Sequence, residues 1–201
     1  MLSAQLGRTV DSYGASFAGK TDPQIFRELL TREGVDDVAP AMARALAAYE
    51  SQMAAAIAVA DITPLAGAID LVAGLAGRAD VMLGLLTGNL QPLAYAKVGR
   101  AGFGGAHFVP GVGAFGSDHE ERDLLGAIAL ERAGAAAGRP FAGADAIVVG
   151  DTPRDIAAAR AVGATAVAVA SGYFTRADLA EADLVVDSLD AAGALLALLD
   201  A

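Results

Sequence analysis

Hydrophobic residues recur with two different periods along this chain. Within residues 1–62 they follow a helical spacing, as in a stripe whose members lie four, three and four positions apart: Met42, Leu46, Tyr49 and Met53. Side chains three and four apart share one face of a helix, so this stripe is predicted to be core. Within residues 63–201, short apolar runs alternate with helical stretches. The pattern predicts a small helical domain followed by an α/β domain.

Start and stop signals place the helices of the first part. Asp22-Pro23 is predicted to begin a helix and Gly34 to end it. The predicted buried face of this helix carries four apolar residues: Ile25, Phe26, Leu29 and Leu30. Before it, residues 1–10 are typical of the end of a helix and residues 11–14 of a turn. The longer helix with the apolar stripe is predicted to end near Ala60.

Short apolar runs of the second part are predicted to be strands. They are Val81–Leu86, His107–Val109, Ala146–Val149, Thr165–Ala170 and Asp183–Val186. Helices are predicted near residues 66–76, 90–100, 118–136 and 156–162 and at the carboxyl terminus. Strands that alternate with helices predict a doubly wound, Rossmann-like parallel sheet.

Composition and charge narrow the classes of function. The 201 residues carry a formal net charge of −10. Proteins bind the phosphate backbones of nucleic acids through clusters of Lys and Arg, so this acidic charge argues against a nucleic-acid partner. The lack of cysteine excludes disulfides, thiolate catalysis and Cys-based zinc sites, and it favours a cytoplasmic location. The two histidines, His107 and His119, are too far apart to suggest a metal site. No apolar run reaches the roughly twenty residues of a membrane span.

Two carboxylates follow the predicted strand Ala146–Val149. In the sequence Gly-Asp-Thr-Pro-Arg-Asp, Asp151 falls at the carboxyl end of the strand and Asp155 in the first turn of the next helix, which Pro153 is suited to begin. Two hard oxygen ligands four residues apart at a strand end predict a Mg²⁺ site and phosphate chemistry. The alternative is that Asp151 and Thr152 cap the helix and Asp155 complements its dipole.

A second polar segment follows the predicted strand Val81–Leu86. It consists of Thr87, Gly88 and Asn89, and a helix is predicted to start near Leu90. A hydroxyl and backbone N–H groups at a helix N-terminus can bind phosphoryl oxygens. An ordinary turn has the same composition.

These two segments, in this order and at this separation, resemble motifs two and four of the haloacid dehalogenase-like (HAD) hydrolase superfamily. Residues 16–23 (SFAGKTDP) and 113–120 (GAFGSDHE) also look like segments of its phosphoglycolate phosphatase-like members. The resemblance therefore covers essentially the whole chain. It implies a HAD-type α/β core domain at residues 63–201 and a helical cap domain at residues 1–62 that closes over the catalytic mouth.

The resemblance also implies roles for individual residues. Thr87 would hydrogen-bond the transferring phosphoryl group, and the Gly88 and Asn89 amides would bind its oxygens. Asp151 and Asp155 would hold Mg²⁺.

Basic residues for the site are less clearly marked. A HAD site needs a cation that stabilises the phosphoryl charge, and Lys97 is the first candidate, with Arg122 as the second. A solvated helix lysine is the alternative for Lys97. In the cap, Lys20 could reach a substrate carboxylate or phosphate, although a surface loop lysine is common.

One motif of the family is absent. HAD phosphatases begin with a strand ending in Asp-x-Asp, whose first Asp attacks phosphorus and whose second acts as general acid and base. No such pair occurs near the start of this chain, and Asp61 is interpreted as part of the linker into the core domain. The first core strand is therefore expected to be missing, and a start codon farther upstream is the favoured explanation.

The resulting hypothesis is a Mg²⁺-dependent phosphomonoester hydrolase that acts on a small phosphorylated metabolite through an aspartyl phosphate. The nucleophilic Asp would not belong to these 201 residues. The alternative is a catalytically inactive HAD-like remnant that binds a phosphorylated ligand or a partner protein. A third hypothesis keeps the fold but changes the chemistry to dehalogenation or phosphoryl mutation; the acidic pair argues against dehalogenation, which needs no metal.

Overall fold

The first part of the chain contains three helices among its described residues. The computed structural model describes residues 2–10, 17–171, 173–191 and 193–199, so the turn predicted at residues 11–14 lies outside the described residues. The helices are α1 (Leu2–Leu6), α2 (Asp22–Arg32) and α3 (Val38–Val59). Thr21 caps α2, since its Oγ1 accepts a hydrogen bond from the Gln24 N–H at 3.1 Å.

The apolar faces of these three helices meet in one core. Leu30 of α2 and Ala45 of α3 are fully buried there, beside Phe26. Met42, Leu46 and Tyr49 pack against this core, and Met53 packs with Ile57 against a second cluster. The prediction that the stripe on α3 is core is therefore confirmed.

Strands and helices alternate in the second part of the chain. Their order is α4 (Ala68–Ala76), β1 (Leu85–Thr87), α5 (Gln91–Arg100), β2 (Gly113–Phe115), α6 (Leu125–Ala137), β3 (Ile147–Gly150), α7 (Pro153–Val162), β4 (Thr165–Val169), β5 (Leu184–Val186) and α8 (Gly193–Leu199). Short 3₁₀ turns occur at Arg122–Leu124, Gly143–Asp145 and Leu189–Ala191. The chain is thus a mixed α/β protein, as predicted.

The described strands form two parallel sheets rather than the single sheet predicted. One contains β1 and β2, with Leu85 opposite Gly113, and the other has the order β3–β4–β5, with Ile147 opposite Thr165. Helix α6 contacts β1, β2 and α7, and α7 contacts β3 and β4. A Cβ on Gly126 of α6 would lie 2.9 Å from a Val162 methyl of α7, so glycine permits this close approach. The α6–α7 pair therefore holds the two sheets side by side.

Alternating residues of β4 separate two layers of helices. Ala166 and Ala168 pack with Ile156 of α7. Val167 points the other way and packs with Leu75 of α4 and Leu195 of α8. Successive side chains of a strand point to opposite faces, so α7 and the α4–α8 pair cover opposite faces of this sheet.

One strand prediction is wrong, and another is too long. The run His107–Val109 lies in a turn, where the His107 N–H donates to the Gly104 carbonyl at 3.0 Å, and the strand forms at Gly113–Phe115 instead. A Cβ on Gly113 would lie 2.3 Å from the Leu85 carbonyl oxygen, so a glycine is needed for that pairing. In the run Val81–Leu86, only its last two residues belong to a strand.

Helix α3 makes an apolar contact with the second part of the chain. Its Ile57 packs with Leu90, which precedes α5, and with Leu93 of α5. Asp61 is exposed in the irregular segment between α3 and α4, which agrees with its interpretation as a linker residue. Every helix in the described ranges is too short or too polar to cross a lipid bilayer.

Candidate active site

A cavity of about 850 Å³ lies where the carboxyl ends of β1 and β3 meet the helical part. Thr87–Asn89 and Gly150–Thr152 line it from the two sheets, together with Asp155. Phe26 and Tyr49 line it from α2 and α3. The two polar segments that the sequence singled out, 62 to 68 positions apart, therefore meet at one cavity.

Asp155 is a buried carboxylate with several partners. It accepts hydrogen bonds from the Thr152 N–H at 3.0 Å, the Thr152 hydroxyl at 2.8 Å and the Asp151 N–H at 3.2 Å. Thr152 in turn accepts from the Asp155 N–H, which completes a reciprocal cap at the start of α7. Arg122 forms an ion pair with the same carboxylate. The helix-capping alternative thus describes Asp155 and Thr152 well.

Asp151 differs from Asp155 in its exposure and its charge balance. It lines the cavity, and no salt bridge joins it to a basic side chain in the described part of the chain. Partial burial raises the pKa of the Asp151 carboxyl above its ordinary value, and the neighbouring Asp155 carboxylate raises it further. The charge of Arg122 acts in the opposite direction, and a cation bound at Asp151 would lower that pKa further.

The segment after β1 is tightly packed against the loop before α2. The Asn89 N–H donates to Thr87 Oγ1 at 3.2 Å, which leaves the hydroxyl hydrogen of Thr87 for an acceptor in the cavity. Gly88 is buried, and a Cβ there would lie 2.3 Å from the Lys20 carbonyl oxygen. The Asp22 N–H donates to the Gly88 carbonyl at 2.7 Å. Glycine at position 88 is therefore required for this packing contact, independently of any ligand that its N–H binds.

Asp22 is a functional candidate that the sequence analysis missed. It is 4% exposed, and its carboxylate accepts from the Leu90 N–H at 2.8 Å and from Asn89 Nδ2 at 3.2 Å. The Tyr49 hydroxyl donates to it at 3.3 Å. In the sequence, the Asp-Pro pair predicts only the start of a helix, and no local signal points to partners 67 and 68 positions away.

The pKa of Tyr49 reflects its burial beside Asp22. Burial raises the pKa of its phenol to about 12, and the charge of Asp22 and its hydrogen bond raise it as well. The hydroxyl therefore stays protonated and donates to Asp22 at physiological pH.

The three predicted basic residues occupy different places. Lys97 does not line the cavity; its Nζ donates to Asn89 Oδ1 at 2.8 Å and so fixes the Asn89 side chain. Arg122 lines the cavity, donates to the Gly19 carbonyl at 3.2 Å, and has a buried Nε without a hydrogen-bond partner. Lys20 lines the cavity and forms an ion pair with Glu28 of α2.

The segment after β2 serves the scaffold. Ser117 accepts from the N–H of Gln91, the first residue of α5, at 3.2 Å. Asp118 accepts two hydrogen bonds from Arg132 of α6, at 2.7 and 2.8 Å, and one from the Phe115 N–H. Neither residue lines the cavity, and neither does His119.

The cavity provides some, but not all, of the oxygen ligands that a hard cation such as Mg²⁺ needs. Asp151 and Asp155 supply carboxylate oxygens at one cavity wall, which is the ligand type that Mg²⁺ prefers. A third acidic residue or histidine that could join them in a metal site is absent from the described residues. The pair therefore fits Mg²⁺ only together with other oxygen ligands, such as water or substrate phosphate.

Comparison with known families agrees with this location. Residues 124–192, about a third of the chain, match the HAD-hydrolase-like family model. The matched part runs from the start of α6 to the segment before α8 and contains Asp151 and Asp155. No curated protein matches this chain. The match supports membership of the HAD superfamily and a hydrolase function at that level.

Proposed function

We propose that this chain is a Mg²⁺-dependent phosphomonoester hydrolase of the HAD type. One observation carries the proposal: Thr87 and the Asp151–Asp155 pair, from two separate strand ends, line the same cavity. The matched family model supports the hydrolase class. The fold proposed with it is one doubly wound sheet in which β1 and β3 belong to the same layer.

The roles follow from what each residue can offer. Thr87 would donate its hydroxyl hydrogen to a phosphoryl oxygen, and backbone N–H groups of the segment 87–89 would add donors. Asp151 and Asp155 would hold Mg²⁺, which when bound would neutralise charge on the phosphoryl oxygens. Arg122 would keep Asp155 in place and add positive charge at the cavity wall. Lys97 would act through Asn89, whose side chain it holds.

The nucleophile in this proposal is an Asp from outside these 201 residues, since the sequence contains no Asp-x-Asp pair. Its carboxylate would attack phosphorus with loss of the alcohol, and water would then hydrolyse the aspartyl phosphate. The substrate proposed is small, a phosphoglycolate-like acid or a sugar phosphate. Lys20, Phe26 and Tyr49 of the helical part line the cavity and would contact the part of the substrate that leaves.

The test is Mg²⁺-dependent binding of inorganic phosphate, measured by calorimetry. Thr87→Ala and Asp151→Ala are each expected to weaken binding about tenfold or more, because each removes a direct contact. Asp61→Ala is the control, since Asp61 is exposed and away from the cavity. Equal phosphate binding by all four proteins would overturn the proposal.

A turnover assay tests whether the nucleophile lies outside these 201 residues. The 201 residues alone are expected to hydrolyse no p-nitrophenyl phosphate with Mg²⁺. A measurable rate that Asp151→Ala abolishes would show that the nucleophile lies within this chain, contrary to the proposal. The ion pair between Asp155 and Arg122, which occupies one of the two carboxylates, is the observation that favours the non-catalytic alternative.

A further inference from the structure

Asp22, at the start of α2, contacts three consecutive residues that follow β1. Its N–H donates to the Gly88 carbonyl at 2.7 Å. Its carboxylate accepts hydrogen bonds from Asn89 Nδ2 at 3.2 Å and from the Leu90 N–H at 2.8 Å. Main-chain and side-chain groups of this one residue therefore hold the chain at positions 88, 89 and 90.

These contacts extend to Thr87 through Asn89. The Asn89 N–H donates to Thr87 Oγ1 at 3.2 Å, so the hydrogen of that hydroxyl is left for another acceptor. The side-chain oxygen of Asn89 accepts from Lys97 Nζ at 2.8 Å. With its amide nitrogen on Asp22 and its amide oxygen on Lys97, the Asn89 side chain has both ends fixed.

The carboxylate of Asp22 is occupied by protein donors. It is 4% exposed, and the Tyr49 hydroxyl donates to it at 3.3 Å in addition to Asn89 and Leu90. Asp22 belongs to the cavity wall, but its negative charge would repel a phosphate group. An effect of Asp22 on phosphate must therefore pass through the residues that it holds and not through direct contact.

We propose that Asp22 is a positioning residue for the phosphate-binding segment Thr87–Asn89. Its contacts hold this segment in the conformation in which the Thr87 hydroxyl lines the cavity. The proposal rests on the proposed function, which makes Thr87 and the amides of the segment the phosphate ligands. It adds that a residue of the helical part, which itself does not touch phosphate, sets the affinity for phosphate.

A purely structural role for Asp22 leads to a different expectation. It would lower the free energy of unfolding and leave the phosphate affinity of the folded protein unchanged. Asp22→Asn distinguishes the two roles with a small change of shape. The introduced NH₂ group faces either the Asn89 side-chain NH₂ or the Leu90 N–H, and both of these are donors.

Calorimetry with inorganic phosphate and Mg²⁺ measures the effect on the ligand site. Asp22→Asn is expected to weaken phosphate binding at least tenfold, because the segment that carries Thr87 loses hydrogen bonds. The affinity for Mg²⁺ alone should stay within about twofold, since Asp155 is held by Thr152 and Arg122 and not by Asp22. Unchanged phosphate affinity, or an equal loss of phosphate and Mg²⁺ affinity, would overturn the proposal.

Asp36→Asn is the matched control. It makes the same chemical change at an exposed position between α2 and α3, and Asp36 does not line the cavity. Its phosphate affinity should equal that of the original chain. Circular dichroism at the temperature of the titrations establishes that each protein is folded.

Exchanging the two side chains tests for recovery of binding. In the double variant Asp22→Asn with Asn89→Asp, the amide at position 22 can donate to the carboxylate at position 89, which in turn accepts from Lys97. Asn89→Asp alone brings two carboxylates together. The double variant is therefore expected to bind phosphate at least about fivefold more tightly than each folded single variant. No recovery in the double variant would contradict the role of Asp22, and this comparison still decides when one single variant does not fold.

The same titrations separate this proposal from the proposed function. If the original chain does not bind phosphate with Mg²⁺, the proposed function is contradicted, and the role of Asp22 falls with it. If Thr87→Ala weakens phosphate binding and Asp22→Asn does not, the proposed function is supported and the role of Asp22 alone is contradicted. Weaker binding by both variants, with recovery in the exchanged protein, supports both.

Discussion

Asp22 shows how one carboxylate joins the two parts of the chain. It lies at the start of α2, yet its hydrogen-bond donors are Leu90 and Asn89 after β1 and Tyr49 on α3. A buried charge is costly unless hydrogen bonds replace its water. These donors provide that replacement, and Asn89 is fixed between Asp22 and Lys97 as a result.

Removing this carboxylate is expected to destabilise the protein. Asp22→Ala should lower the free energy of unfolding by about 2–3 kcal/mol, because the buried N–H of Leu90 and the side chain of Asn89 lose a charged hydrogen-bond acceptor. Urea denaturation followed by circular dichroism measures the change. Asp61→Ala, at an exposed position, should stay within about 0.5 kcal/mol of the original chain. A loss from Asp22→Ala as small as that of the control would contradict the role assigned to Asp22.

Tyr49 gives a pH-dependent test of the same junction. The pKa of its phenol is raised to about 12, above the ordinary value near 10 that it takes when unfolded. Between these values the folded state holds a proton that the unfolded state loses, so stability contributed by Tyr49 decreases as pH rises through this range. Tyr49→Phe should cost about 1 kcal/mol at pH 7 and remove this part of the alkaline loss.

Ultraviolet difference titration of the original chain against Tyr49→Phe measures the phenol directly. A group that ionises near 12 should be missing from the variant. If the missing group ionises near 10, the phenol is neither buried nor placed beside Asp22 as described.

At the scale of elements, the pair Asp118–Arg132 ties the segment after β2 to α6. Arg132 lowers the pKa of Asp118 through two hydrogen bonds, and it also donates to the Gly113 carbonyl at 3.0 Å. Since the folded-state pKa is depressed, the stability it contributes is present above the unfolded pKa and is lost as pH falls through the folded value. Because Arg132 is partly exposed, water and dissolved salt screen the ion pair and limit its contribution to the free energy of unfolding.

Asp118→Asn is therefore expected to cost about 1 kcal/mol at pH 7 and less in acid. Urea denaturation at pH 7 and at about pH 3 measures the two differences. Asp145→Asn, on the 3₁₀ turn before β3, is a comparison acidic position without a salt bridge among the described residues. A cost of Asp118→Asn that does not shrink in acid would contradict the ion pair as its cause.

Elements with strong local signals could be predicted from the sequence. Helix α2 has a Thr cap, a Pro in its first turn and a buried apolar face, and β3 leads directly into the Thr-Pro start of α7. Strand β2 could not be found in this way, because Gly113 lowers its strand propensity and a contact with Leu85 creates the pairing. Strand pairing depends on residues that are distant in the sequence. The separation of the strands into two sheets therefore could not be predicted from local patterns either.

The candidate site could also be predicted only in part from the sequence. Its chemistry-bearing residues followed strand ends, so their approach to one cavity could be predicted from the parallel arrangement. The partners of each side chain could not, since Asp155 meets Arg122 and Lys97 meets Asn89 through the packing of separate elements. The roles given to Thr87, Lys97, Asp151 and Asp155 remain predictions.

At the scale of the whole molecule, the two parallel sheets are expected to differ in local stability, because their strands differ in pairing and burial. Strand β4 has partners on both sides and buried residues from Ala166 to Val169, whereas β1 has one partner and is only partly buried. Amides exchange through local opening, which costs least where few contacts must break. The amides of β1 are therefore expected to exchange at least tenfold faster than those of β4 in the chain alone.

Residue-resolved hydrogen exchange under native conditions checks this expectation, with the fully paired β4 amides as the internal reference. Equal protection of β1 and β4 would contradict the expectation that pairing on one side only leaves β1 easier to open.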